Sequence, residues 1–145
     1  LQGFRNLFGD ETQDYGLALE THYKNGAPSN WNQKFISKYA SSHPWEDWAE
    51  TWAHYLHIMD TLETGHHLGL TFTDSLAQNR LNQSSNCPNP YITNDFKIIF
   101  DANMQLTSAV NSLNRSMGVP DIYPFIVPNE VFKKLDFIHH LLLKG

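Results

Sequence analysis

His43-Pro44-Trp45-Glu46-Asp47-Trp48-Ala49-Glu50-Thr51-Trp52-Ala53-His54-Tyr55-Leu56-His57 is the stretch whose reading decides the fold. Read as a helix, it sets Glu46, Glu50, His54 and His57 four, four and three residues apart. At roughly 100° per residue these four fall within an arc of about 80°. Trp45, Trp48, Trp52, Tyr55 and Met59 take the opposite side, at the spacing of a buried stripe. The segment therefore reads as an anchored core helix that presents two carboxylates and two imidazoles in a row. A metal site or an acid/base site needs such a row.

The row carries a cost. Like charges four residues apart on a helix repel, and Glu46 and Glu50 are such a pair. With His43 as N-cap and Pro44 as the first helical residue, Glu46 falls at the third position, where a carboxylate suits the helix dipole. No capping argument covers Glu50. A cation beside the pair would turn repulsion into ligation.

Outward from this helix the chain continues as helix after helix. Asp10 is expected to cap a helix over about residues 11–24, and Asn30 a short one through Tyr39. The central helix is expected from Pro44 to Thr64, stopped by Gly65. Residues 66–77 read either way, and 78–94 form a polar loop. A long helix follows from about Asp95 to Met117, with Ile99, Met104, Leu106, Val110 and Leu113 as its apolar positions and Gly118 closing it. After a proline-bracketed connection, Asn129 caps a last helix burying Val131, Phe132, Leu135, Ile138 and Leu142. The expected class is all-α, with about five helices in one helical domain over residues 1–145.

Composition narrows the function. The 145 residues are 41% hydrophobic, enough for a real core. The net charge of −5 with scattered Lys and Arg argues against nucleic acid. No apolar run approaches the ~20 residues of a membrane span. The lone cysteine, Cys87, rules out an internal disulfide and a Cys-rich zinc ribbon, and fits a reducing, cytoplasmic setting. No Gly-x-Ser-x-Gly or phosphate-binding loop is present. A carboxylate-bridged di-metal bundle needs Glu-x-x-His, but Ala49 and Ala53 stand three residues after Glu46 and Glu50. Two readings of the row remain: carboxylate ligation of zinc with histidines from elsewhere, or a hydrogen-bonded polar face. Of the other histidines, His22 suits the end of its helix, His66 and His67 are expected in a loop, and His139 and His140 split between core and solvent.

The strings Leu7-Phe8-Gly9-Asp10-Glu11, Asp14-Tyr15, His22-Tyr23, His43 to His57 and Asp60-Thr61-Leu62-Glu63-Thr64, with the closing Lys134-Leu135-Asp136-Phe137-Ile138-His139, resemble the bacterial putative zinc-binding metallopeptidase family of gluzincin type. The likeness spans nearly the whole chain. It implies a zinc-dependent hydrolase of peptide bonds, bacterial and acting on peptide or protein substrates. In that family His-Glu-x-x-His supplies two zinc ligands and the general base, and a downstream acidic helix supplies the third ligand. The resemblance assigns Glu46 as that ligand and Glu50 as its support, with the opposite order open. It gives His54 and His57 a place in the polar network or at the substrate oxyanion.

The sequence holds no His-Glu-x-x-His. The expectation is therefore the C-terminal helical part of a zinc metallopeptidase, N-terminally truncated and inactive alone, holding Zn2+ only in the longer protein. Tryptophan and tyrosine side chains bared beside Glu46 would offer a surface for homodimerisation. The competing expectation is a non-enzymatic α-helical interaction or scaffold domain whose acidic-histidine face is structural.

Overall fold

In the computed structural model, residues 1–73, 84–122 and 127–144 are described. Five α-helices run through them: α1 (Gln2–Phe8), α2 (Tyr15–Asn25), α3 (Pro44–His67), α4 (Phe96–Ser116) and α5 (Asn129–Leu143). The class is all-α. Two 3-10 turns (Trp31–Gln33 and Tyr39–Ser42) precede α3, and strands β1 (Thr71–Thr73) and β2 (Ser84–Asn86) form a short antiparallel ribbon with Thr71 opposite Asn86. Strand β1 lies where the sequence left residues 66–77 open, whereas β2 falls inside the segment expected to be a polar loop, its residues drawn into pairing with Thr71–Thr73. Parts of the polar loop at 78–94 and of the connection around Pro124 lie outside the described residues.

The chain divides into two compact units, Leu1–Tyr55 with Ile126–Gly145, and Leu56–Phe125. In the first, α1 and α5 bring an aromatic cluster onto the start of α3. Phe4 stacks on Phe8 at 5.0 Å, and both meet the Trp48 ring edge-on at 5.4 and 5.1 Å. Phe137 of α5 closes on Phe8 and Trp48. Val131, Leu135 and Ile138 of α5 are fully buried, as the periodicity requires, whereas Leu142 is exposed. Tyr55 at the far end of this unit's share of α3 is hydrogen-bonded to His139 Nδ1 at 2.9 Å. In the second unit, Ile58, Met59 and Leu62 of α3 and Phe96, Ile99 and Leu106 of α4 are buried, while Leu113 of α4 is exposed.

Helix ends follow local chemistry. Asp95 caps α4 by accepting from the Lys97 amide at 2.9 Å. Gly118 closes α4 in the left-handed region (φ 75°), with the Gly118 amide on the Arg115 carbonyl and the Val119 amide on the Asn114 carbonyl. The central helix overruns its expected stop. Gly65 lies inside α3, and the same terminal pattern falls at Gly69 (φ 65°), whose amide bonds His66 while Leu70 bonds back to Gly65. Gly65 serves close approach: a Cβ there would sit 3.0 Å from Cys87 Sγ and 3.4 Å from Leu106 Cδ2. His66 and His67 are thus the last turn of α3, not loop, and His66 Nδ1 lies 2.9 Å from the Cys87 carbonyl.

The start of α2 also shifts. Asp10 is spent on a turn, accepting from the Thr12 amide and hydroxyl, and Asp14 caps the helix through the Leu17 amide at 2.8 Å. The helix expected over residues 30–39 is broken into the two 3-10 turns. Asn30 makes no side-chain cap, and the Lys34 carbonyl accepts from Lys134 Nζ instead of continuing a helical ladder.

Candidate functional site

Helix α3 begins as its sequence dictates. The His43 carbonyl accepts from the Asp47 amide at 3.0 Å, and His43 Nδ1 accepts from the Trp45 amide at 3.1 Å. Accepting at Nδ1 places the ring proton on Nε2, which donates to the Gln13 carbonyl at 3.2 Å. His43 therefore caps α3 and ties it to the segment before α2. Pro44 follows as first helical residue, and Glu46 lands on the third.

Glu46 is partly buried, and its Oε1 accepts a hydrogen bond from the Tyr15 hydroxyl. That hydrogen bond, with burial second, holds the Tyr15 phenol above its ordinary range. Tyr39 joins the cluster beside Tyr15 and Glu46. Its phenol is raised mainly by burial, then by the Glu46 charge. The Tyr15 ring stands edge-on to His43 at 5.1 Å and lies 5.6 Å from Trp45. Among the described residues no ion pair neutralises Glu46. Glu50 and His54 are partly buried further along α3 in the same unit, while His57 is exposed and belongs to the second unit.

The buried face of α3 is not the tryptophan stripe. Asp47, Thr51, Tyr55, Ile58, Met59 and Leu62 are buried, but Trp45 is 52% exposed. At 100° per residue the buried arc is turned by about 70° from the expected one. Two polar residues thereby enter the core. Asp47 is 0% exposed and pairs with Lys134 of α5, 4% exposed, at 2.6 Å. Lys134 Nζ also donates to the Lys34 carbonyl at 2.7 Å and lies 4.5 Å from the centre of the Phe35 ring. Burial pushes the Asp47 carboxyl up to about 6, against the pull of Lys134. Thr51 donates to the Asp47 carbonyl at 2.6 Å. This network fixes α3 against α5 one residue away from Glu46. Its signal lay in the sequence: Lys134 falls three residues after Val131 and four before Ile138, within the apolar stripe of α5.

Trp45 and Trp48 instead line a groove of about 560 Å³ with Leu1, Phe4, Phe137 and Leu141. Cys87 is buried in the second unit, its thiol donating to the Leu62 carbonyl and raised by burial, which makes it a poor nucleophile.

The sequence model of a family described as "Putative zinc-binding metallo-peptidase" matches residues 1–141. The chain belongs to that family. Among the relatives of this metallo-peptidase family member are an uncharacterized protein of Mycobacterium tuberculosis and one of Mycobacterium bovis. Each is 42% identical over 139 residues, covering 96% of this chain. The chain spans 38% of the length of each. No solved structure matches it.

Zinc takes carboxylate oxygen readily, and a ligating carboxylate is usually hydrogen-bonded by a neighbour; Glu46 accepts such a bond from Tyr15. Among the described residues, however, no group of three or more His, Cys, Asp or Glu side chains is arranged to hold a metal ion. No helix among them is long and apolar enough to cross a membrane.

Proposed function

We propose that this metallo-peptidase family chain supplies one carboxylate ligand, Glu46, to the zinc site of a peptide-bond hydrolase. The remaining ligands come from parts of the protein outside these 145 residues. The observation that carries the reading is Glu46 itself: a partly buried carboxylate on a capped helical turn, held by Tyr15 and lacking a counter-ion among the described residues. A partly buried carboxylate keeps only part of its hydration, and a divalent ion beside it compensates that loss. Glu50 stands one turn on, where it supports a ligand of the same ion, with His54 extending the polar face toward the substrate. The substrate class is peptide or protein.

The residues described do not assemble a zinc site by themselves, so hydrolysis requires the longer protein. The chain's share of its relatives' length supports that division of labour. The test is hydrolysis of an unstructured protein such as casein by the product of the full reading frame. The expected result is cleavage abolished by a chelator, restored by zinc, and lost in Glu46→Gln. Cleavage that persists in Glu46→Gln with chelator present would sink the reading.

A further inference from the structure

We propose that the groove of the second unit, between its share of α3 and α4, binds a small organic cation: an apolar body carrying an ammonium group that meets Asp60. The inference does not rest on the zinc reading of Glu46, which belongs to the other unit.

The groove holds about 570 Å³, within the range of small-molecule sites. Leu106 and Val110 of α4 line it together with Leu68, Leu70 and Ile122. Leu68 is 70% exposed and Ile122 62%, a large apolar area for a face left to water. The α3 side is polar in sequence but not in effect. Thr61 donates to the His57 carbonyl, and Thr64 to the Asp60 carbonyl at 2.9 Å. Each hydroxyl is thus spent on its own helix, which leaves the methyl group for a ligand. The walls are pinned in advance. The Leu70 amide donates to the Gly65 carbonyl at 3.0 Å, and the Leu70 carbonyl accepts from the Cys87 amide at 2.8 Å. The Ile122 amide donates to Asn111 Oδ1 at 3.0 Å.

Asp60 sets the charge. It is exposed and lines the groove, and Glu63 follows it on α3. Burial first, then the charges of Glu63 and Asp60, hold the Tyr91 phenol above its ordinary range. Lys97 and Arg115, the Lys and Arg residues described in this unit, are already paired with Asp101 and Asp121. Among the described residues no ion pair neutralises Asp60 or Glu63. An apolar groove edged by such a carboxylate is complementary to an apolar cation and disfavours an apolar anion.

The experiment titrates the protein from its full reading frame with three probes that share one body: phenylbutylamine, phenylbutanol and phenylbutyrate. Binding is followed by ligand-observed NMR at pH 8, with EDTA present so that no probe is read through a metal ion. The expected order of affinity is amine, then alcohol, then acid. The amine should bind about fivefold tighter than the alcohol, the ratio that about 1 kcal/mol of attraction to a surface carboxylate gives. Asp60→Asn should bring the amine to the alcohol's affinity and leave the alcohol unchanged. Val110→Trp, which fills the groove, should abolish binding of both. Leu68→Ser, at a position too exposed to carry the fold, should weaken both by roughly two- to threefold through lost apolar contact. Where Val110→Trp lowers the melting temperature, Leu68→Ser alone decides the location. No binding of the amine, equal binding of the three probes, an amine preference that survives Asp60→Asn, or affinity unchanged by the groove variants overturns the proposal.

Discussion

Replacing Lys134 by methionine removes the cation from the buried pair that fixes α3 beside Glu46, and the cost can be worked from the structure. Asp47 has a folded value of about 6 against an ordinary 3.8, so holding it ionised at pH 7 already costs about 3 kcal/mol at 1.36 kcal/mol per unit. Without Lys134 the carboxyl stays protonated at pH 7, which costs about 4 kcal/mol on the same scale, an increment of about 1 kcal/mol. The Lys34 carbonyl loses its donor, worth about 1–3 kcal/mol. The cation over the Phe35 ring adds about 1 kcal/mol. Methionine retains the apolar stem, so packing is largely kept. The total is about 3–5 kcal/mol, the range for breaking a buried pair on one side. The folded value of Asp47 lies above the unfolded one, so its stabilising contribution is full below about pH 3.8 and is lost as pH rises through about 6. In Lys134→Met that loss continues to higher pH, so the deficit narrows by about 1 kcal/mol between pH 7 and pH 5. Urea unfolding followed by tryptophan fluorescence at both pH values, with chelator present, measures it. A deficit under about 1 kcal/mol at pH 7, or one that widens on acidification, would refute the reasoning.

Two further changes test the local account. Gly65→Ala, which in an exposed helix interior would stabilise by about 0.5–1 kcal/mol, should here destabilise by about 1–3 kcal/mol because the added methyl meets Cys87 Sγ and Leu106; thermal melting decides the sign. Asp95→Ala should cost about 1 kcal/mol through loss of the α4 cap, with Asp95→Asn recovering most of it in the same melt.

Helices α3, α4 and α5 were legible because each carries a long apolar period and a helix-start signal at or beside its first residue, although at α5 the cap position falls to Pro128 and Asn129, expected as the cap, is the first helical residue with no side-chain cap bond made there. The class followed from them. The closing glycine of α4 was legible too, since Gly118 needs φ > 0. Gly65 misled because the sequence shows a glycine but not its reason. Here the reason is the approach of Cys87, and Gly69 closes the helix instead. The segment 30–39 has aromatic residues at helical spacing, yet a lysine 100 residues away claims the Lys34 carbonyl, which no local pattern reveals. The same lysine hid the true core face of α3. Four aromatic residues outweighed Asp47 and Thr51 in the pattern, and only the cation on α5 makes those two polar residues tolerable inside. At the candidate site, Glu46 and its helix position were readable from spacing and capping. Tyr15 was not, because its approach to Glu46 depends on how α2 is tied to His43.

Zinc content of the protein from its full reading frame, measured by elemental analysis in wild type, Glu46→Ala and Glu50→Ala after dialysis against dilute chelator, tests the central claim most directly. The account predicts one zinc per chain in wild type, none retained in Glu46→Ala, and zinc retained but more weakly in Glu50→Ala. Full zinc in Glu46→Ala would contradict it and leave the acidic face of α3 a structural feature.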